Sequence, residues 1–168
     1  MFESCVLGVD PGLANVGLAT VARRGRAPVL LWADTVRTTP DEDEALRLRL
    51  VAEAVRAAIA HHHPGAVAIE RVAWNRNQVS ALRVARATGA VMVVAAEAGV
   101  GVREYGPNEV KIAVTGAGNA DKRQVRDALA RIHRLDAVPS QPDAADAVAV
   151  ALTHLLAQRM RSIEAAVR

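Results

Sequence analysis

The segment VLGVDPGLANVGLATV, residues 6–21, decides how the chain is interpreted, because it places a single acid in an otherwise apolar stretch. The first apolar run, residues 4–10, ends at Asp10, and the Pro-Gly pair that follows favours a turn. Apolar residues resume over 15–22, so the pattern predicts two strands joined at this turn. An acid at the end of a buried strand is either a turn former or a functional carboxylate.

The rest of the pattern extends these two strands into an α/β fold. Residues 28–37 complete a meander, and the short apolar segment AVAIE at 66–70 is typical of a strand buried on both faces. Thr39 is predicted to cap the first helix, with Pro40 in its first position. The other predicted elements are a strand over 101–105 and helices over 41–62, 77–98, 107–114, 121–132 and 142–166. This order predicts a single domain, residues 1–168, with a mixed five-stranded sheet and helices on both faces.

Composition and charge restrict the class of protein. The 168 residues are 51% hydrophobic and 23% charged, as in globular chains. No continuous apolar run reaches the roughly 18 residues that cross a bilayer, no signal peptide is recognised, and the one cysteine, Cys5, excludes an internal disulfide. We therefore expect a cytoplasmic protein without a membrane partner. Residues 71–134 hold eleven Lys or Arg against five Asp or Glu, a net charge of +6 that favours a polyanionic partner such as nucleic acid.

Four acids lie among apolar residues rather than on solvated faces. Asp10 and Glu70 each end a predicted strand, and Asp143 and Asp146 are three residues apart, on one face at the start of the last helix. If the two strands are neighbours, all four carboxylates converge. Either their pKa values then rise or divalent cations neutralise them, and carboxylates without a His or Cys cluster favour Mg²⁺ or Mn²⁺. Two such ions can activate water for phosphodiester hydrolysis.

Each of these acids also has a purely structural interpretation. Asp10 can be a turn former, and Glu70 can pair with an arginine. Asp143 and Asp146 can complement the dipole of a helix N-terminus. Spacing alone leaves these alternatives open.

Four segments in order resemble the RuvC family of bacterial Holliday junction resolvases over about residues 5–157. They are LGVDPGLANVGLA, AIERV, EVKIAVTGAGNADKRQVRDAL and DAADAVAVALTH. The resemblance implies a ribonuclease-H-like fold, a homodimer, and Mg²⁺-dependent paired incisions of same-polarity strands at a four-way junction in recombination and repair. It implies two Mg²⁺ per site, replaceable by Mn²⁺, held by the catalytic Asp10, Glu70, Asp143 and Asp146. It also implies a partnership with a branch-migration motor of the RuvAB type.

The resemblance extends to the cationic and aromatic residues. Lys111 and Lys122 are the only two lysines among 21 Lys and Arg residues, and both fall in matching segments, where the family's lysines serve the scissile phosphate and the bound strand. Trp74 lies one position after Ala73, where several relatives carry a stacking phenylalanine, and it is expected either to stack on a junction base or to join a dimer interface. The predicted DNA-binding set is Trp74, Arg76, Asn77, Lys111, Lys122 and Arg123.

Two other functions remain open at this stage. A general nuclease of the ribonuclease H type would cut RNA–DNA hybrids, and a non-catalytic scaffold would only bind junctions. The complete set of four acids argues against the scaffold. Cleavage assays on a hybrid and on a four-way junction separate the two nucleases.

Overall fold

A computed structural model describes residues 4–25, 27–71 and 78–167. The strands are β1 (Ser4–Asp10), β2 (Asn15–Arg24), β3 (Ala27–Arg37), β4 (Ala66–Glu70) and β5 (Gly101–Tyr105). The helices are α1 (Glu44–His62), α2 (Gln78–Glu97), α3 (Pro107–Thr115), α4 (Lys122–Arg131) and α5 (Pro142–Val167).

The five strands form one sheet in the order β3-β2-β1-β4-β5. Strands β1, β2 and β3 are an antiparallel meander, whereas β4 and β5 run parallel to β1. The mixed five-stranded sheet is therefore confirmed. Because β1, β4 and β5 all end on the same side, we call that side the carboxyl edge of the sheet.

Helices cover both faces of the sheet, as predicted, because side chains alternate between faces along each strand. Val6 of β1 faces an apolar cluster formed with α3, α4 and α5. Leu7 and Val9 face a second cluster formed with α1 and α2. The central strands are thus buried on both sides, which explains the nearly continuous apolar run at the start of the sequence.

Helix α5 lies unusually close to the sheet because two glycines face it. A Cβ atom on Gly8 of β1 would overlap the carbonyl oxygen of Ala147. A Cβ atom on Gly17 of β2 would overlap the carbonyl oxygen of Asp143. The first turns of α5 therefore rest directly on the backbone of β1 and β2.

One predicted helix start is wrong. Helix α1 begins at Glu44 and not near residue 41, and its N-cap is Asp43 rather than Thr39. The Asp43 carboxylate accepts a hydrogen bond of 2.9 Å from the backbone N–H of Ala45, and Asp is as good a cap as Thr. Pro40 consequently lies in the turn that precedes the helix.

Within the described residues, α2 is the one helix long and apolar enough to cross a bilayer when judged by length and composition. Its Ala87, Val91 and Val94 are buried in the fold, where α2 packs beside α1 and against the sheet. A helix that lines a protein core has a similar composition, so this packing accounts for the apolar residues on its buried side, whereas Val79, Leu82 and Val93 are exposed.

Candidate active site

The two strand-ending acids meet at the carboxyl edge. Strands β1 and β4 are parallel neighbours in which Val9 pairs with Ile69. Asp10 and Glu70 follow these two residues directly, and both side chains are partly buried. This register meets the condition under which the sequence brings the two acids to one edge, namely that their strands are neighbours.

Helix α5 brings the other two acids to the same place. Asp143 lies in its first turn, and the Asp143 backbone contacts Gly17, the residue opposite Asp10 in the β1–β2 pair. Asp146 follows one turn later with 25% of its side chain exposed. We call Asp10, Glu70, Asp143 and Asp146 together the acidic cluster.

Burial and repulsion between the acids raise the pKa values of Asp10 and Glu70. Burial, followed by the charges of Glu70, Asp146 and Asp143, raises the pKa of Asp10 from 3.8 to about 8. Burial and then Asp146 also raise the pKa of Glu70, although a hydrogen bond from Asp10 and the two lysines oppose the rise. The ionised forms of Asp10 and Glu70 are therefore disfavoured unless a proton or a cation neutralises them.

Hard carboxylate oxygens with uncompensated charge match the ligand preference of Mg²⁺ and Mn²⁺. Over residues 4–25, 27–71 and 78–167, no three His, Cys, Asp or Glu side chains already converge closely enough to hold one ion. The donor set thus suits a divalent cation, but its side chains have to draw together around it.

The two lysines line the same cleft, which has a volume of about 240 Å³ and also contains Glu70 and Asp146. Lys122 Nζ donates a 2.7 Å hydrogen bond to Asp146 Oδ2. That bond, together with the charges of Asp146, Asp10 and Asp143, raises the pKa of Lys122 against the opposing effect of burial. Lys111 lies on α3, and its charge lowers the pKa of Glu70. Both lysines therefore lie beside the acidic cluster, where the resemblance to the family placed them.

The other predicted DNA-binding residues divide into two groups. Arg123 borders a second cavity of about 390 Å³, which shares Lys122 and Asp146 with the cleft. Trp74, Arg76 and Asn77 fall in residues 72–77, outside the described residues. Their roles stay predictions.

A buried arginine that sequence analysis did not single out supports the loop after Asp10. Arg47 of α1 is 5% exposed, and its Nε donates a 2.9 Å hydrogen bond to Thr38 Oγ1. Thr38 Oγ1 in turn donates to the carbonyl oxygen of Leu13, and the Thr38 N–H donates to Ala14. These bonds fix the turn that connects Asp10 to β2.

A sequence signal for Arg47 does exist. It lies four residues before Val51 and eight before Val55, both of which face the core. A charged residue in register with the apolar face of a helix is therefore a buried partner rather than a solvated side chain.

Comparisons with known proteins give a consistent result. The sequence model of the family described as crossover junction endodeoxyribonuclease RuvC matches residues 6–154. A protein of that description from Mycobacterium avium (strain 104) is 47% identical over 150 residues, which are 89% of this chain and 80% of the relative.

Solved structures agree with the sequence matches. RuvC of T. thermophilus in complex with a Holliday junction substrate superposes with a TM-score of 0.88 at 38% identity, covering 94% of this chain and 96% of that one. The yeast mitochondrial Holliday junction resolvase superposes with a TM-score of 0.69 at 12% identity, covering 90% of this chain and 77% of that one, and supports the fold alone.

Proposed function

This chain belongs to the RuvC family of crossover junction endodeoxyribonucleases, and from that membership we propose how its residues resolve a four-way DNA junction. The observation that carries the proposal is the convergence of four acids and two lysines at one edge of a ribonuclease-H-like sheet. The reaction is phosphodiester hydrolysis on two strands of the same polarity, in recombination and repair.

Asp10, Glu70, Asp143 and Asp146 are the proposed metal ligands. Two Mg²⁺ ions, or Mn²⁺ in their place, supply water activation and stabilise the leaving oxygen when they are bound. The backbone at Asp10 is fixed by β1 and by the hydrogen bonds that Thr38 makes to the following turn. The backbone at Asp143 and Asp146 is fixed by the close packing of α5 on Gly17. These backbone contacts keep the four carboxylates near one another while their side chains close around the ions, and such positioning is a main requirement of this chemistry.

The basic side chains of the cleft bind the phosphates of the substrate. Lys122 and Lys111 flank the acidic cluster, where an ammonium offsets the negative charge that develops on the scissile phosphate. Arg123, at the adjoining cavity, extends this contact along the strand backbone. We place the enzyme in the cytoplasm, working with a branch-migration motor of the RuvAB type.

We expect a homodimer, because two symmetric cuts need two sites related by a twofold axis. Helix α2 supports this, since Val79, Leu82 and Val93 are 62%, 52% and 58% exposed and lie on one side of the helix, away from its buried face. Leu82→Glu should convert the dimer to a monomer in analytical sedimentation.

Ile132→Glu is the matched control for the dimer, because Ile132 is 64% exposed but follows α4. It should leave the sedimentation of the dimer unchanged. A wild-type protein that is active and monomeric at micromolar concentration contradicts the dimer proposal.

Trp74→Ala is expected to slow cleavage by about 5- to 150-fold, because stacking on an aromatic ring contributes roughly 1–3 kcal/mol per base. Junction binding should change less, since phosphate contacts by Lys111, Lys122 and Arg123 dominate the affinity. A fluorescent base analogue at the crossover should brighten less with the variant. Unchanged cleavage and fluorescence place Trp74 in the core or the dimer interface.

The substrate class is tested by offering one preparation two substrates with Mg²⁺. Paired nicks in a mobile four-way junction, without cutting of an RNA–DNA hybrid, support the proposal. Preferential cutting of the hybrid supports the general nuclease, and binding without cutting supports the scaffold.

A further inference from the structure

Lys122 is held to the acidic cluster by a contact that is easy to break. Its backbone is fixed at the start of α4, where Asp121 and Gln124 form a reciprocal capping box. Its side chain is 75% exposed and touches the cluster through the bond from Nζ to Asp146 Oδ2. Asp146, in contrast, is 25% exposed on a helix that rests on the sheet. The lysine is therefore the partner that can move.

The Lys122 ammonium already supplies positive charge to the acidic cluster, as a divalent metal ion would. Its charge acts on Asp10 and Asp143 as well as on Asp146. No three side chains of the described residues converge on an ion, and Asp146 is already engaged by Lys122. A divalent cation that uses Asp146 Oδ2 has to displace this ammonium first.

The choice of lysine at this position fits such a displaceable contact. The chain has 21 Lys and Arg residues, of which Lys111 and Lys122 are the two lysines, and both line this cleft. Arginine can bind a carboxylate through two parallel hydrogen bonds, whereas lysine binds it through one compact charge on a flexible side chain. A single exposed ammonium releases a carboxylate more readily than a guanidinium does.

We propose that Lys122 is an internal competitor of the divalent cation for Asp146, and that it is released to the substrate phosphate when the cation binds. This inference rests on the metal site proposed above. Because a phosphate and a metal ion both favour the released lysine, each increases the affinity of the site for the other. The free enzyme thus holds metal weakly and completes its site as the junction arrives.

The test measures Mn²⁺ affinity without DNA, by electron paramagnetic resonance of free Mn²⁺ titrated against the full chain. Lys122→Met should bind Mn²⁺ roughly two- to fivefold more tightly than wild type, the range that the loss of one exposed ion pair allows. Lys122→Arg keeps the charge and the pair, so its affinity should equal or fall below that of wild type.

Lys111→Met is the matched control, since it removes the same charge from the same cleft without removing the bond to Asp146. Its effect should be clearly smaller. Equal tightening by both Met variants, or none by Lys122→Met, overturns the competition. Failure of the metal site itself is distinguishable, because Asp146→Asn would then bind Mn²⁺ as wild type does, or no variant would bind it.

Discussion

Asp146→Asn is expected to abolish cleavage of a four-way junction while the protein still binds the junction. The substitution removes one of the proposed metal ligands and keeps the shape of the side chain. Loss of several kcal/mol of transition-state stabilisation corresponds to at least a roughly 10³-fold lower rate. The affinity for the junction should persist or increase, because lysine and arginine side chains supply it and the acids repel phosphate. Single-turnover cleavage and fluorescence anisotropy on the same junction measure the two quantities.

The same result is expected for Asp10→Asn and Glu70→Gln. Glu53→Gln is the control, because Glu53 is 50% exposed on α1 and pairs with Arg49 there. It should cut and bind as wild type. If Asp146→Asn cut normally with Mg²⁺, the acidic cluster would not be the metal site.

Asp10→Asn also separates inactivity from misfolding. The pKa of Asp10 is raised from 3.8 to about 8, so between these pH values the folded protein retains a proton that the unfolded chain releases. Without metal, the free energy of unfolding of the wild type therefore falls as pH rises through this window. Asp10→Asn should be more stable than wild type at pH 8 in EDTA. Denaturant titrations at pH 5 and pH 8 measure this, and a less stable variant at pH 8 would contradict it.

Gly17→Ala is expected to give the second largest loss of cleavage rate. The added methyl group overlaps the carbonyl oxygen of Asp143, and a helix backbone cannot move aside as a side chain can. Overpacking of this kind costs about 1–3 kcal/mol of stability. Displacement of α5 also shifts Asp143 and Asp146 relative to Asp10 and Glu70, and a shift of about 1 Å can slow a reaction roughly 100-fold. Cleavage should be compared well below the melting temperature of both proteins.

Gly101→Ala is the matched control for this substitution. Gly101 begins the strand β5, and a Cβ atom there meets nothing within 4 Å. Replacement of a strand glycine with space around it should stabilise the protein by about 0.5–1 kcal/mol and leave cleavage unchanged. Wild-type cleavage by Gly17→Ala would show that α5 does not depend on this close contact.

The strands were predictable, because apolar patterning is encoded locally, whereas the convergence of Asp10 with Glu70 depended on the condition that β1 and β4 are neighbours. The Pro-Gly turn and the apolar AVAIE segment were sufficient to place both acids at strand ends. The sequence did not predict that Asp43 rather than Thr39 caps α1, since both residue types suit an N-cap.

Other features depend on contacts between distant parts of the chain and could not be derived from local patterns. The Lys122–Asp146 bond joins residues 24 positions apart, and the Thr38–Leu13 bond joins residues 25 apart. The approach of α5 to Gly17 depends on the position of the helix over the sheet. A glycine within a strand is expected to weaken it. Only the structure shows that Gly17 instead allows the close approach of α5.

The packing of α5 on β1 and β2 has a consequence for protein synthesis. Asp10 and Asp146 are 136 positions apart in the sequence, and they become neighbours only when α5 docks on strands made much earlier. Contacts of such long range form late, because the loop between them has to be closed first. A chain still on the ribosome therefore carries Asp10 and Glu70 without the other half of the proposed site. The proposed site is complete only when translation has passed α5 and the domain has folded.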